Sequence, residues 1–215
     1  MFNLSFDLVT LLLVLTFLMS YKGFRDSSFF NAYCFSVSGL KSGQWYRLFT
    51  SGFLHVGWWH LMVNGLTFYF FAPSILNIFG TAGFLGLYLF SLLTGNLLTY
   101  FYNNKEYNYT AVGASGAISG IVFSSLVFNP SMKLYILPLP FPIPAPLFGL
   151  GFLLYSMIGI LRNSDRIGHA AHMGGGIGGT LITILFYPSL LRENPLLWVF
   201  LSLIFLALFV IKKLR

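Results

Sequence analysis

The chain of 215 residues is 57% hydrophobic and 19% aromatic, and only 8% of it is charged, against about 25% in a soluble domain. That balance excludes a water-soluble globular protein and makes lipid the solvent for most of the chain. A net charge of +7 would suggest nucleic acid in a soluble protein. Here the basic residues fall in loops beside apolar segments, where lipid headgroups and topology account for them, so no nucleic-acid partner is expected.

Backbone chemistry then sets the fold class. Apolar runs of about 20 residues satisfy their N–H and C=O groups in lipid only as helices or closed barrels, and a barrel's alternating segments are missing. The expectation is an all-α membrane protein embedded in a lipid bilayer. Its lone cysteine, Cys34, rules out an internal disulfide.

Seven spans are predicted, at about 5–20, 59–79, 81–102, 111–128, 146–161, 168–187 and 195–211. The first has no basic region before it and no small-residue cleavage site after it, so it reads as a retained span. The connection over 21–57 carries Phe29, Phe30, Trp45 and Tyr46 among polar residues. It is expected to lie partly in the membrane interface. Between the fourth and fifth spans, Pro138, Pro140, Pro142, Pro144 and Pro146 occupy every second position. That pattern forbids a helix and predicts an extended spacer along the membrane surface.

Polar groups within apolar helices are costly unless they find partners or act chemically. Ser115 lies near the start of the fourth span and His172 near the start of the sixth. Alternating topology puts both on one side of the bilayer, where they could supply a nucleophile and a base for cutting a peptide bond. His60 and Asn64, near the start of the second span, fall on that side too. Four residues apart, they share a helix face. Paired donors suit a developing oxyanion, and an interhelical hydrogen bond is the structural alternative.

Glycine surrounds both reactive groups: Gly113, Gly116 and Gly120 about Ser115, and Gly174, Gly175, Gly176, Gly178 and Gly179 after His172. Small residues let helices approach closely enough for Ser and His to bond, and ordinary small-residue packing is the alternative. Of the five acids, only Asp165 is near His172. Seven residues of helix span about 10 Å, beyond hydrogen-bond reach, so a Ser–His dyad is expected. His169 competes with His172 as base, but it lies nearer the headgroups and is expected to be solvated or supporting. His55 is expected to hydrogen-bond within the interfacial loop. No metal or cofactor is expected.

From Arg47 to Gly179 the chain resembles the rhomboid intramembrane serine protease family. The matching residues are Arg47-Leu48-Phe49-Thr50, His55, His60-Leu61-Met62-Val63-Asn64, Gly113-Ala114-Ser115-Gly116, Ala171-His172-Met173-Gly174-Gly175 and Gly179. The resemblance implies a rhomboid-like six-helix transmembrane core over 1–194, with an extra C-terminal transmembrane helix and short basic tail over 195–215. It also implies a serine endopeptidase with Ser115 as nucleophile and His172 as base. The Ser115 amide, His60 and Asn64 would stabilise the oxyanion. Gly113, Gly116, His55, Arg47, Gly175 and Gly179 would support the site. Substrates would be transmembrane segments of membrane proteins, admitted by movement of span five and the loop after it. The site would open to the extracytoplasmic side, in a bacterial cytoplasmic membrane.

Two departures accompany the resemblance. The aromatic often found four residues after the family's serine, stacked on the histidine, is Ser119 here. The family's Trp-Arg reads Tyr46-Arg47, with Trp45 one place earlier. Ten of the twelve basic residues fall on the active-site side, Lys133 and Arg192 being the two others. The positive-inside rule would put that side in the cytoplasm. An embedded first loop weakens the rule, so the family's orientation is expected. An inactive escort relative would typically lack the serine or histidine, and both are present. A transporter would place charged groups within its spans.

Overall fold

The computed structural model describes residues 4–136, 140–162 and 167–193, with 202, 203 and 206 beyond them. Each apolar run predicted within those ranges is helical. Helix α1 covers Leu4–Arg25, five residues beyond the expected end, with Lys22 and Arg25 in its last turn, where cations suit the helix dipole. Asp26 then opens α2 (Ser27–Tyr33), its side chain accepting from Phe29 N. The rest of the first connection is ordered as β1 (Phe35–Ser36), α3 (Val37–Lys41), α4 (Arg47–Thr50) and a 3-10 turn at Ser51–Phe53. Phe35, Val37, Leu40 and Leu48 form a buried cluster inside it, while Trp45 and Tyr46 face outward.

Helix α5, Trp58–Asn103, joins the second and third predicted spans across Gly80. There φ is +67° and ψ 174°, a conformation glycine adopts without a Cβ penalty. A short strand β2 (Thr110–Ala111) returns antiparallel to β1, Phe35 opposite Ala111. Helix α6 (Ser115–Phe128) follows, with every residue from Gly116 to Val127 buried. A helix apolar on all sides belongs at the centre, and α6 is that centre. Strands β3 (Lys133–Leu134) and β4 (Ile143–Pro144) pair, so the end of the proline run is a strand as well as a spacer. Helix α7 is Ala145–Arg162, α8 is His169–Phe186 and α9 is Leu190–Glu193. Pro146 sits in the first turn of α7, where its missing N–H is harmless.

Among the described residues, three helices are long and apolar enough to cross a membrane: α1, α5 and α7. The expected seventh span and the boundary at residue 194 lie outside the described residues, apart from 202, 203 and 206.

Helices α5, α6 and α8 pack most extensively, with α8 wedged between the other two. Its glycine row explains how. A Cβ on Gly174 would lie 2.6 Å from Thr94 O and 2.9 Å from Gly95 Cα, and one on Gly178 would meet the Thr94 side chain. Gly175 and Gly179 instead abut Gly116 and Gly120 of α6. The row is thus two interleaved small-residue stripes, one for each neighbour. Helix α7 lies outside this trio. It buries only Ala145, Gly149, Leu153, Ser156 and Ile160 and rests mainly on α8.

Candidate active site

A cavity of about 830 Å³ is lined by Ser115, His172, His60, Asn64 and Gly113 together. Ser115 is the first residue of α6, His60 the third of α5 and His172 the fourth of α8. Three helix N-termini therefore meet around one space, as alternating topology requires. The α6 N-cap, Ala114, makes no side-chain capping bond. Amides at a helix start have no intrahelical partner and carry the positive end of the dipole.

Gly113 gives Ser115 and His60 their common neighbour. Its φ is +137°, and a Cβ there would fall 2.8 Å from His60 Cε1, 3.1 Å from His60 Nε2 and 3.7 Å from Ser115 Oγ. Its backbone N donates to Ser51 O at 3.0 Å, tying the approach to α6 to the first connection. Gly116 lies against α8, a Cβ there falling 3.3 Å from Ala171 O. Gly175 and Gly179 continue that contact on the α8 side. Both catalytic candidates thus stand at the point where α6 and α8 touch.

His60 leads to a second histidine. The rings of His55 and His60 are 4.8 Å apart, edge to face, and His55 Nδ1 lies 3.0 Å from Ser20 Oγ. Ser20 Oγ also donates to Phe53 O at 3.0 Å, so His55 Nδ1–H is the donor in the shared bond. His55 is fully buried. Burial, with His60 nearby, pushes its pKa down to about 3, so the ring stays neutral. Sequence reasoning placed its bond within the loop; the partner is instead on α1. Asn64 donates from Nδ2 to His60 O at 2.9 Å, which occupies one of its two N–H groups and leaves the other for the cavity.

Arg47 is buried and holds the first connection in shape. Its Nη1 donates to Asn31 O at 2.8 Å and Cys34 O at 2.7 Å, and its Nε to Gln44 Oε1 at 2.6 Å. It does not line the cavity.

His172 has an aromatic neighbour from an unexpected helix. The ring of Phe152, on α7, is 5.6 Å from it at an interplanar angle of 32°. Ser119 lines the same cavity. His169 is buried rather than solvated, at 4% exposure. Its ring fills a notch at Gly159 and meets Tyr155 edge to face at 4.9 Å. It stands 6.3 Å from the His172 ring. Asp165 lies outside the described residues.

A family model described as the Rhomboid domain matches residues 42–189. The chain belongs to the rhomboid family. It is 33% identical over 156 residues to the putative rhomboid protease YdcA of Bacillus subtilis (strain 168), covering 68% of this chain and 70% of that protein. It is 29% identical over 171 residues to the mitochondrial RHOMBOID-like protein 12 of Arabidopsis thaliana, covering 72% of this chain. It is 26% identical over 163 residues to Rhomboid protease AarA of Providencia stuartii, covering 67% of this chain. The match spans 50% of the Arabidopsis protein and 57% of the Providencia protein. This rhomboid is accordingly an integral membrane protein.

Several residues around this rhomboid's cavity escaped sequence reasoning. Asn96 lines it and donates to Leu48 O at 2.6 Å and Ser51 Oγ at 3.1 Å, fastening the first connection to α5. Thr99 lines it one turn further on. Both are polar groups inside an apolar run, the signal that singled out Asn64. Ser20 carries the same mark at the end of the first predicted span, whereas Phe152 carries none, because its role depends on which way a mostly apolar helix is turned.

Proposed function

We propose that this rhomboid is an intramembrane serine endopeptidase that cleaves transmembrane segments of other membrane proteins with a Ser115–His172 dyad. The observation that carries this reading is a cavity among apolar helices that Ser115, His172, His60 and Asn64 line together. Protease names among the bacterial relatives support it.

His172 takes the Ser115 proton as Ser115 Oγ attacks the scissile carbonyl carbon. The resulting oxyanion is held by the Ser115 amide, His60 and Asn64, donors fixed before the charge develops. As the tetrahedral intermediate collapses, His172 returns the proton to the leaving amine and an acyl-enzyme remains. A water deprotonated by His172 attacks the ester, and Ser115 recovers its proton on release of the acid. The cavity, about 830 Å³, accommodates a locally unwound segment together with water, at about 30 Å³ per molecule.

The proposal includes a six-helix core with an additional C-terminal span, in a bacterial cytoplasmic membrane with the site facing outward. The excess of basic residues on that side is less of an obstacle than a count suggests. Arg47 is buried, its Nε and Nη1 donating to Gln44, Asn31 and Cys34. Lys22 lies over the Phe29 ring and Arg25 over the Tyr21 ring.

The test is cleavage of a fluorescent transmembrane substrate by purified protein in detergent. Ser115→Ala and His172→Ala should each reduce it to background while keeping the unfolding temperature. Normal cleavage by Ser115→Ala would end this reading.

A further inference from the structure

One hold on His172 comes from α7, a helix outside the α5–α6–α8 trio. Phe152 faces the imidazole at 5.6 Å and 32°, within the range of an offset aromatic pair. Its own ring is steadied on two sides, by Phe148 at 6.0 Å and Phe123 at 5.8 Å. Farther along the same face of α7, Tyr155 and Gly159 receive His169. Residues 152, 155 and 159 follow helical spacing, so one stripe of α7 meets both histidines of α8. On α6, the position one turn after Ser115 is Ser119, which offers no ring.

We infer that Phe152 is a positioning residue for the proposed base: it orients the His172 ring, and the dyad is competent only while α7 is seated on α8. The inference rests on the proteolytic reading above. A side chain from the central helix would be fixed relative to Ser115. A side chain from α7 moves with α7, so lifting that helix removes the support on one face of the imidazole. An imidazole with one face less constrained samples more orientations in which its nitrogen no longer meets the serine proton. Seating depends in turn on the Gly159 notch, where any Cβ would collide with the His169 ring.

A small fluorophosphonate separates this role from mere lining of a substrate path. It needs an activated serine but no transmembrane helix to enter. The full chain in detergent is labelled as wild type and as Ser115→Ala, Phe152→Leu, Phe152→Tyr, Gly159→Ala and Leu154→Ala. Unfolding temperature is measured for each. Leu154 points outward from α7 and serves as the control. Phe152→Leu should label at least about tenfold more slowly than wild type, with a matching fall in kcat, and Phe152→Tyr should recover most of the rate. Gly159→Ala should label slowly too, although Gly159 does not line the cavity.

Wild-type labelling by Phe152→Leu, or equal losses in the Leu and Tyr variants, would overturn the positioning role. Undiminished labelling of Gly159→Ala would overturn the dependence on α7. Labelling that survives in Ser115→Ala, or is absent from wild type, would instead defeat the proteolytic reading underneath.

Discussion

A Cβ on Gly175 would sit 2.9 Å from the Cα of Gly116 and nearer still to its carbonyl, so α6 and α8 touch backbone to backbone beside Ser115. Gly175→Ala must therefore force the two helices apart. Overpacking of this kind costs about 1–3 kcal/mol. Thermal unfolding in detergent should show a lowered midpoint, and cleavage should fall with it. Gly86, where a Cβ meets nothing within 4 Å, is the contrast: Gly86→Ala should be neutral or stabilising by up to about 1 kcal/mol. Equal midpoints for the two variants would contradict the packing account.

Gly113→Ala meets two obstacles at once. The backbone there, at φ +137°, disfavours a side chain, and the added methyl presses on the His60 ring. Adding His60→Ala should relieve the crowding but leave the backbone penalty, which is of order 1–3 kcal/mol. The double variant should thus unfold at a temperature between Gly113→Ala and His60→Ala. Full recovery to the His60→Ala value would show that the backbone is not strained.

Asn64→Ala removes one proposed oxyanion donor and leaves Ser115 and His172 in place. Cleavage should fall about 10²-fold, chiefly in kcat. A change confined to KM would assign Asn64 to substrate binding.

The neutral, buried His55 makes the first connection acid-sensitive. Its pKa near 3 lies below the ordinary value of about 6.5. Above pH 6.5 the ring is neutral folded or unfolded, and it contributes no pH dependence. As pH falls below that value, the opened state takes up a proton that the folded state refuses, so stability declines toward pH 3. At about pH 5 the loss is about 2 kcal/mol. Unfolding midpoints of wild type and His55→Gln, compared at about pH 7.5 and pH 5, should show the steeper fall in wild type. Parallel falls would place the sensitivity elsewhere.

Orientation is open to a direct measurement at Lys105, exposed in the loop after α5. In a Cys34→Ser background, Lys105→Cys should react with an impermeant maleimide added outside intact cells. Reaction only after permeabilisation would invert the proposed topology.

Much of this architecture was legible in the residues. Hydropathy marked the helices, and the boundary between the second and third predicted spans falls at Gly80, the turn inside α5. The fifth predicted span begins within one residue of the start of α7, with Pro146 inside the helix and not in the spacer. Ser115, His172, His60 and Asn64 stood out because polar groups in apolar helices are conspicuous, and the structure gathers all four at one cavity. The pairing of β1 with β2 was not legible, since two-residue strands leave no periodicity to read. The burial of His169 was hidden as well, because depth along a helix is visible in sequence but the notch at Gly159 is not. Phe152 was lost among the 25 phenylalanines of the chain. Only its rotational setting on α7 distinguishes it from those facing lipid.

Under the proposed proteolysis, the enclosure of α6 would also fix where in the membrane bonds are broken. At 14 residues and about 1.5 Å per residue, it is about 21 Å long, short of a hydrocarbon layer of about 30 Å. With neighbours on every side, it need not match bilayer thickness. A short inner helix can therefore begin several ångströms beneath the headgroups, sinking its first residue to the level of a victim helix's outer turns. Thinner or thicker membranes would shift the prey's register against that stationary blade, and with it the peptide bond presented for cutting.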